Sequence, residues 1–358
     1  MMLSKEIYSI EYKIKHLILY SVLIIPVCIF YRELTSEYFV YNSDLFNYQN
    51  FFDHEVYWNT LNRIQSQGLS VTSLNNDLGI SLLYILFIKF FSLFGITNIL
   101  DISFYINIIT LFLVYKTYTD VCYILKLKGK TWLFFFLEFQ LLYFAQLIGK
   151  DLFTILFFLI VLKLLLMNRY KEILFWSVVF FFVRIQLLVF GLLVLYLSYG
   201  DFRKRILISY ILTSLIGGYT AVNGNLISKE SMGNGFGSYV LYINSEYYYL
   251  GNLLLNPIRI LQFLLDIFLS FNIYTDGKID VAKILRIPIL IVLTFHLKYI
   301  IYFFRKDFSL NNDLSQIVIV IISFLLTWLM NPTVNARYIM LIVPILLLLL
   351  RYRKLQIN

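Results

Sequence analysis

Long apolar runs, separated by short basic clusters, make up most of this chain and restrict what it can fold into. Hydrophobic residues form 60% of the sequence, only 14% is charged, and the mean hydropathy is +0.78. Lipid admits only helices and closed barrels, because every backbone polar group must be hydrogen-bonded there. The runs are too long and too uniformly apolar for barrel strands. The sequence predicts an all-α polytopic membrane protein, a single integral membrane domain over residues 1–358 with about 10–12 transmembrane or partly inserted helices.

The basic clusters predict which side of the membrane each run faces. The formal net charge is +9, and short loops rich in Lys and Arg stay in the cytoplasm. We therefore interpret the charge as a topology signal and expect no nucleic-acid partner. Lys5 precedes the first run and Arg351 follows the last, so both termini are predicted to be cytoplasmic. The other clusters predicted on that side are Lys126 to Lys130, Arg169 with Lys171, Arg203 to Arg205, and Arg305 with Lys306.

The first runs can be placed by counting crossings between these clusters. Two apolar runs, 78–94 and 101–124, separate the first outer loop from Lys126. Since only an odd number of crossings fits, we assign the crossing to 101–124 and expect 78–94 to lie along or dip into the outer face. Run 131–148 then goes out, and 150–167 returns.

Run 172–199 is long for one helix and short for two. Arg184 and Gln186 lie at its middle. We interpret it as two abbreviated helices that meet at Arg184 near the outer face, with the break lining a cavity, because irregular backbone at membrane depth is tolerated only there. The alternative is one long tilted helix with a buried arginine, which would leave Arg203 outside.

Two large extracytoplasmic loops are predicted at 32–77 and 223–255. Two apolar runs, 256–274 and 285–304, separate the second outer loop from the cytoplasmic cluster at Arg305. An odd number of crossings must join the two sides, so one of these runs should not cross fully. We choose 256–274 as the surface or partly inserted helix, because it carries Arg259 and Asp266. The remaining runs are assigned as follows: 206–222 crosses outward, 315–330 goes out, and 337–350 returns.

Three separated basic residues, Lys150, Arg184 and Arg337, are thereby placed on the outer side. A charge at membrane depth is costly unless it faces a cavity, a partner or an anionic ligand. A guanidinium offers paired donors to phosphate oxygens, so we favour a phosphate or pyrophosphate ligand. The alternative for Arg337, which lies between Pro332 and Pro344, is that its side chain snorkels to the interface.

Acidic residues of the first outer loop are candidates for proton transfer. Asp44 is the first candidate for a general base acting on a sugar hydroxyl, and Asp53 with His54 is the second. The alternative is that these residues cap helices or are solvated charges. The further candidate substrate-binding residues are Asp151, Gln186, Asn335 and Tyr338.

No metal site or cofactor is expected. Cys28 and Cys122 both lie in apolar segments, so they predict neither a disulfide nor a metal centre. The sequence has no phosphate loop, no metal-binding His-Glu-x-x-His helix and no Gly-x-Ser-x-Gly nucleophile.

The pattern resembles the bacterial oligosaccharide repeat-unit polymerases of the Wzy/EpsG type and, more distantly, the GT-C glycosyltransferases. The residues that carry the resemblance are the Asp44–Tyr48 loop, Gly149–Asp151, Arg184–Gln186, and Asn335–Tyr338 followed by Pro344. The resemblance implies a GT-C-like fold in which the outer-loop acid and the membrane-facing arginines form the active site, so that Asp44, Arg184 and Arg337 would be catalytic. It implies transfer of a growing glycan from undecaprenyl pyrophosphate to a new lipid-linked repeat unit, for O-antigen or capsule.

The chain departs from the GT-C pattern where a second acidic motif would help to hold a metal. That position contains Lys150–Asp151, which favours a metal-free reaction in which cations assist the departing pyrophosphate. The expected partners are the lipid-linked oligosaccharide, the bilayer of the bacterial inner membrane, and a chain-length regulator protein. Two alternatives remain: a GT-C enzyme that moves one sugar from polyprenyl phosphate, and a flippase for lipid-linked oligosaccharides, although no internal repeat is evident.

Overall fold

The structure is a computed structural model, and it describes most of the chain. The described residues are 14–15, 17–22, 25–29, 32, 45–47, 51–67, 78–127, 141, 145, 148–223, 236–269, 272–275, 277–281, 283–292, 313–330 and 338–357. At 51–55, 262–269 and 353–357, among others, the description covers the backbone and not the side chains.

The described chain is mainly helical, as predicted. Its helices are α1 Phe51–Gln67, α2 Leu78–Ser92, α3 Ile99–Ile124, α4 Asp151–Leu166, α5 Tyr170–Phe181, α6 Ile185–Leu197, α7 Phe202–Asn223, α8 Phe236–Glu246, α9 Leu250–Leu269, α10 Asp313–Trp328 and α11 Ile339–Ile357. Helical residues also occur within 17–29 and at 283–292. Most of run 131–148 lies outside the described residues.

Two of the described helices are long and apolar enough to cross a membrane. They are Ile99–Ile124, with 26 residues, and Phe202–Val222, with 21 residues. Several other apolar helices are shorter, among them α4 with 16 residues and α6 with 13. At 1.5 Å per residue these span about 24 and 20 Å, less than the roughly 30 Å of a hydrocarbon core.

The predicted break at Arg184 is confirmed. Helices α5 and α6 form a tight hairpin, and Arg184 has an extended backbone (φ −150°, ψ 127°) immediately before α6. The two helices approach so closely that a Cβ on Gly191 would clash with the Ser177 hydroxyl. The single long helix that was the alternative for 172–199 is wrong.

Helices α3 and α4 run in the same direction, as their predicted crossings require. Near their C-terminal ends, Lys163 of α4 donates to Asp120 of α3 over 2.6 Å. Near their N-terminal ends, the Tyr84 side chain lies between Gly149, which precedes α4, and Ser103 and Asn107 of α3. The C-terminal part of α11 joins the first of these ends, where Arg351 Nη1 lies 3.5 Å from the Cys122 sulfur.

Helix α9 presents its polar side to the protein. Asn252, Asn256 and Arg259 are buried, whereas Leu254 and Ile258 are exposed. Arg259 Nη1 donates to Asn256 Oδ1 over 2.6 Å and to the Leu329 carbonyl over 2.9 Å. We expected run 256–274 to be a surface or partly inserted helix because it carries Arg259 and Asp266, and that placement stays a prediction. The structure adds that the Arg259 side chain is directed inward, to the carbonyl of Leu329 just after α10.

A small sheet that the sequence did not predict joins two distant loops. Strand β1 (Phe46–Asn47) pairs in parallel with β3 (Lys278–Asp280), which also pairs antiparallel with β2 (Tyr274–Thr275). The Ile279 amide donates to the Leu45 carbonyl over 2.8 Å. The chain is therefore helical except for this sheet among the described residues, and the first predicted outer loop is fixed to the segment that follows α9.

Candidate functional site

A buried ion pair joins the starts of two helices. Arg184 precedes α6, Asp151 begins α4, and Arg184 Nη2 donates to Asp151 Oδ1 over 2.7 Å. Their side chains are only 9% and 4% exposed. In low dielectric such a pair is held strongly, and removing either partner leaves an uncompensated charge. Two residues proposed from the sequence for the same site are thus in contact.

Lys150 lies next to this pair and is also buried. Its ammonium is 5.0 Å from the centroid of the Tyr57 ring, a cation–π contact. Tyr57 belongs to α1, which is part of the predicted first outer loop. The contact therefore brings that loop to the start of α4 and supports their predicted placement on one side.

Two helix N-termini point at the ion pair and add positive potential. The first backbone bonds of α4 and α6 are Thr154 N to Lys150 O and Leu187 N to Arg184 O, so the amides before them have no acceptor within their own helix. Aligned peptide dipoles make such ends favourable for anions. Gln186, buried in the first turn of α6, lies at the same end.

A third helix begins at the same place. Gly79, in the first turn of α2, packs directly on the backbone of Phe182 at the α5–α6 break, and a Cβ there would clash with the Phe182 carbonyl oxygen. Only glycine permits this approach. The starts of α2, α4 and α6 therefore come together around Arg184.

The site lies below the level at which α3 begins. Arg32 forms an ion pair with Asp101 at the start of α3. Gly149 instead lies close to the Tyr84 side chain, which also lies close to Asn107 of α3. Asn107 is about 12 Å along α3 from the first residue of that helix, at 1.5 Å per residue. The start of α4 thus lies alongside α3, beyond the first turn of that helix.

Tyr338 is connected to helix α4 through aromatic rings. Its ring centroid is 6.1 Å from that of Trp328 at the end of α10, and Trp328 lies 5.6 Å from Phe158 of α4. Arg337 and Asn335, which precede Tyr338, lie outside the described residues, so their predicted roles stay predictions.

The loop acids are only partly placed. Asp44 lies outside the described residues, immediately before Leu45 and strand β1. The backbone of Asp53 and His54 belongs to the first turn of α1, while their side chains lie outside the description. Among the described residues, no three His, Cys, Asp or Glu side chains form a group that could hold a metal ion.

The environment of two buried polar residues was not predicted from the sequence. Tyr84 is fully buried beside the start of α4, and Arg259 is fully buried against the end of α10. Tyr84 is one of 29 tyrosines, and no local pattern distinguishes it. Arg259 was noted as a charge inside an apolar run, but it was used only to assign that run and not as a functional signal.

Comparisons of the chain with protein-family models, with curated proteins and with solved structures find no match in any of the three.

Proposed function

We propose that this chain is a multi-pass protein of the bacterial inner membrane that polymerises undecaprenyl-pyrophosphate-linked repeat units at the outer face. The observation that carries the proposal is the cationic cluster of Lys150 and Arg184, buried with Asp151 where α4 and α6 begin. A buried cluster of this kind among apolar helices suits an anionic head group attached to a lipid.

Membrane placement is supported by reversed polarity on several helices. On α7, Ser209 and Thr213 are buried, while Leu207 and Leu212 are more than half exposed. The same reversal occurs on α9. In water, apolar side chains are favoured inside, so this arrangement suits a lipid surround in which polar groups turn toward the bundle. With the basic clusters, it favours a cytoplasmic location for both termini.

The proposed reaction uses the cluster to stabilise the leaving group. The bond between the anomeric carbon of the growing glycan and the pyrophosphate oxygen breaks, and undecaprenyl pyrophosphate leaves with the electron pair. The hydroxyl at the non-reducing end of the new repeat unit attacks that carbon, and its proton passes to Asp44 as general base. Charge grows on the departing pyrophosphate, so cations and helix N-termini nearby lower the barrier.

Charge balance assigns different tasks to the cations. Lys150 and Arg184 carry two positive charges and Asp151 carries one negative charge, so the described cluster has one net positive charge. Arg337 would add another, which better offsets a pyrophosphate. In this scheme Asp151 orients Arg184, Gln186 and Tyr338 line the site, and Asn335 supports the segment that carries Arg337.

Deletion of the gene and inspection of the surface glycan by gel electrophoresis tests the proposal. A polymerase predicts a single repeat unit per lipid in place of a ladder, with the ladder restored by the wild-type chain. Loss of one side sugar would instead favour a single-sugar transferase, and complete loss of surface glycan would favour a flippase. An unchanged ladder would contradict all three functions.

A further inference from the structure

We propose that Tyr84, which the sequence analysis did not select, is a ligand-binding residue. Its hydroxyl and Arg184 Nε form, with the amides that begin α4, a set of donors for the oxygens of a phosphate or pyrophosphate head group. The inference rests on the proposed function for the identity of the lipid. Its anion-binding test is independent of polymerisation.

The Tyr84 hydroxyl is buried without a completed hydrogen bond. The side chain is fully buried, and its oxygen lies near Ser103, Asn107 and the Gly149 backbone. Among the described residues, however, no hydrogen bond to it is formed. The Ser103 hydroxyl donates its own proton to the Ile99 carbonyl over 2.7 Å. Ser103 keeps lone pairs that could accept, but its geometry and that of the other described neighbours complete no hydrogen bond with the Tyr84 hydroxyl.

Arg184 has an unused donor at the same helix start. Its Nη2 is bonded to Asp151, but its Nε is buried and has no hydrogen-bond partner among the described residues. The residue as a whole is 8% exposed. Tyr84 lies beside Gly149 and Arg184 beside Asp151, so the two donors flank the first turn of α4 from different helices.

Unused buried donors are rare because each loses the hydrogen bonds that it made to water. Two of them beside one helix N-terminus indicate that a polar ligand completes the site. An arginine and backbone amides are donors only, so the ligand must supply acceptor oxygens and negative charge. The Asp151 carboxylate opposes an anion, but Arg184 neutralises it. A phosphate group meets these requirements better than a neutral sugar.

Entry of the head group requires movement, since Tyr84 is fully buried. Helix α1 is the element that moves in our proposal. It packs on α2, and its Tyr57 contacts Lys150. Displacement of Tyr57 would break its cation–π contact with the Lys150 ammonium and open the start of α4 to the lipid head group.

The test is thermal unfolding of the purified full-length protein in detergent, with and without anion. The probes are inorganic pyrophosphate, farnesyl pyrophosphate and farnesol. Both pyrophosphates should raise the unfolding temperature of the wild type, and farnesol should not. A larger shift with farnesyl pyrophosphate than with inorganic pyrophosphate identifies a lipid head group as the ligand. A larger shift with the inorganic ion identifies a free anion.

Tyr84→Phe separates a ligand donor from a packing residue. It removes one oxygen that has no partner, so the protein without ligand should unfold at the wild-type temperature or above. Pyrophosphate should bind roughly 10- to 100-fold more weakly, as expected for loss of a hydrogen bond to a charged group. Ser209→Ala is the matched control, because the Ser209 hydroxyl is also buried without a partner but lies on α7. It should leave pyrophosphate binding unchanged.

Wild-type pyrophosphate affinity in Tyr84→Phe would overturn the inference, as would an equal loss in Ser209→Ala. The inference and the proposed function can fail separately. If the deletion strain lacks a ladder while Tyr84→Phe restores a normal one, the polymerase stands and Tyr84 is only a packing residue. If the deletion strain keeps its ladder but pyrophosphate still stabilises the protein through Tyr84, the anion site stands without the polymerase.

Discussion

Arg184 and Asp151 form a buried ion pair across 2.7 Å, and each lies at the start of a different helix. The pair fixes where α4 and α6 begin relative to one another, and it keeps a guanidinium at the end of two helix dipoles. One guanidinium nitrogen is committed to the carboxylate, while Nε is not bonded among the described residues. The pair thus both stabilises the fold and positions a cation.

We expect Asp151→Asn to destabilise the protein by about 3–5 kcal/mol, because Arg184 would be left buried without its counter-charge. The double variant Asp151→Leu with Arg184→Met should recover most of that stability but produce no polymer, since the cation is lost. Thermal unfolding in detergent measures the change in stability, and the glycan ladder measures polymer formation.

Glu172→Gln is the control. It removes a surface ion pair with Arg169 and should cost less than about 1 kcal/mol. Wild-type unfolding of Asp151→Asn would show that the pair contributes little.

We expect Arg337→Lys to insert normally and to give short or single-unit glycan. An ammonium keeps the charge but loses the two parallel donors that a phosphate accepts. Arg184→Lys should behave similarly, and Lys150→Arg should be tolerated better than either. Ladder length at matched protein level in the membrane is the measurement, with exposed Arg203→Lys as control. A full ladder from Arg337→Lys would contradict a phosphate-binding role and favour the alternative, in which Arg337 snorkels to the membrane interface.

Asp44→Asn should abolish polymer without loss of protein from the membrane, because a general base contributes roughly 10²- to 10⁴-fold to a rate. The relevant measurement is polymer formed from purified lipid-linked repeat units. Asp53→Asn is the comparison and should be milder. Normal polymerisation by Asp44→Asn would reassign that residue to a structural role at the start of β1.

Cysteine labelling tests the predicted sidedness. Ser231→Cys and Thr333→Cys should react with a membrane-impermeant thiol reagent added to intact cells. Lys278→Cys should react as well, because β3 pairs with β1 of the first outer loop. Lys204→Cys should react only after lysis.

The native cysteines Cys28 and Cys122 are both buried and give a low background. External reaction of Lys204→Cys would remove Arg184 from the outer face and contradict the proposed site.

Much of the helical framework followed from the sequence, because apolar runs and basic clusters are physical requirements of a membrane chain. The break at Arg184 was predicted because a run too short for two full crossings lay between two basic clusters. The same count placed Lys150, Asp151 and Arg184 on one side of the membrane, but it did not predict the ion pair between Asp151 and Arg184.

Other features depend on tertiary contacts that no local pattern encodes. Strands of two or three residues show no alternation to detect, so the sheet was missed. Hydropathy records the charge of Arg259 without its partners, so the sequence could not show that Arg259 bonds to Asn256 and to the Leu329 carbonyl just after α10. Nothing in the sequence around Tyr84 distinguishes it from the other buried tyrosines.

The parallel pairing of β1 with β3 also orders events during synthesis. Most of the polypeptide is made after residues 46–47 and before residues 278–280. Strand β1, which our assignment places outside the membrane, therefore cannot pair with β3 until α9 and the segment that follows it have been synthesised and inserted. Asp44 directly precedes this strand in the chain. A ribosome-bound nascent protein would thus carry the proposed catalytic loop unassembled, and a truncated product that ends before residue 278 should be inserted yet inactive.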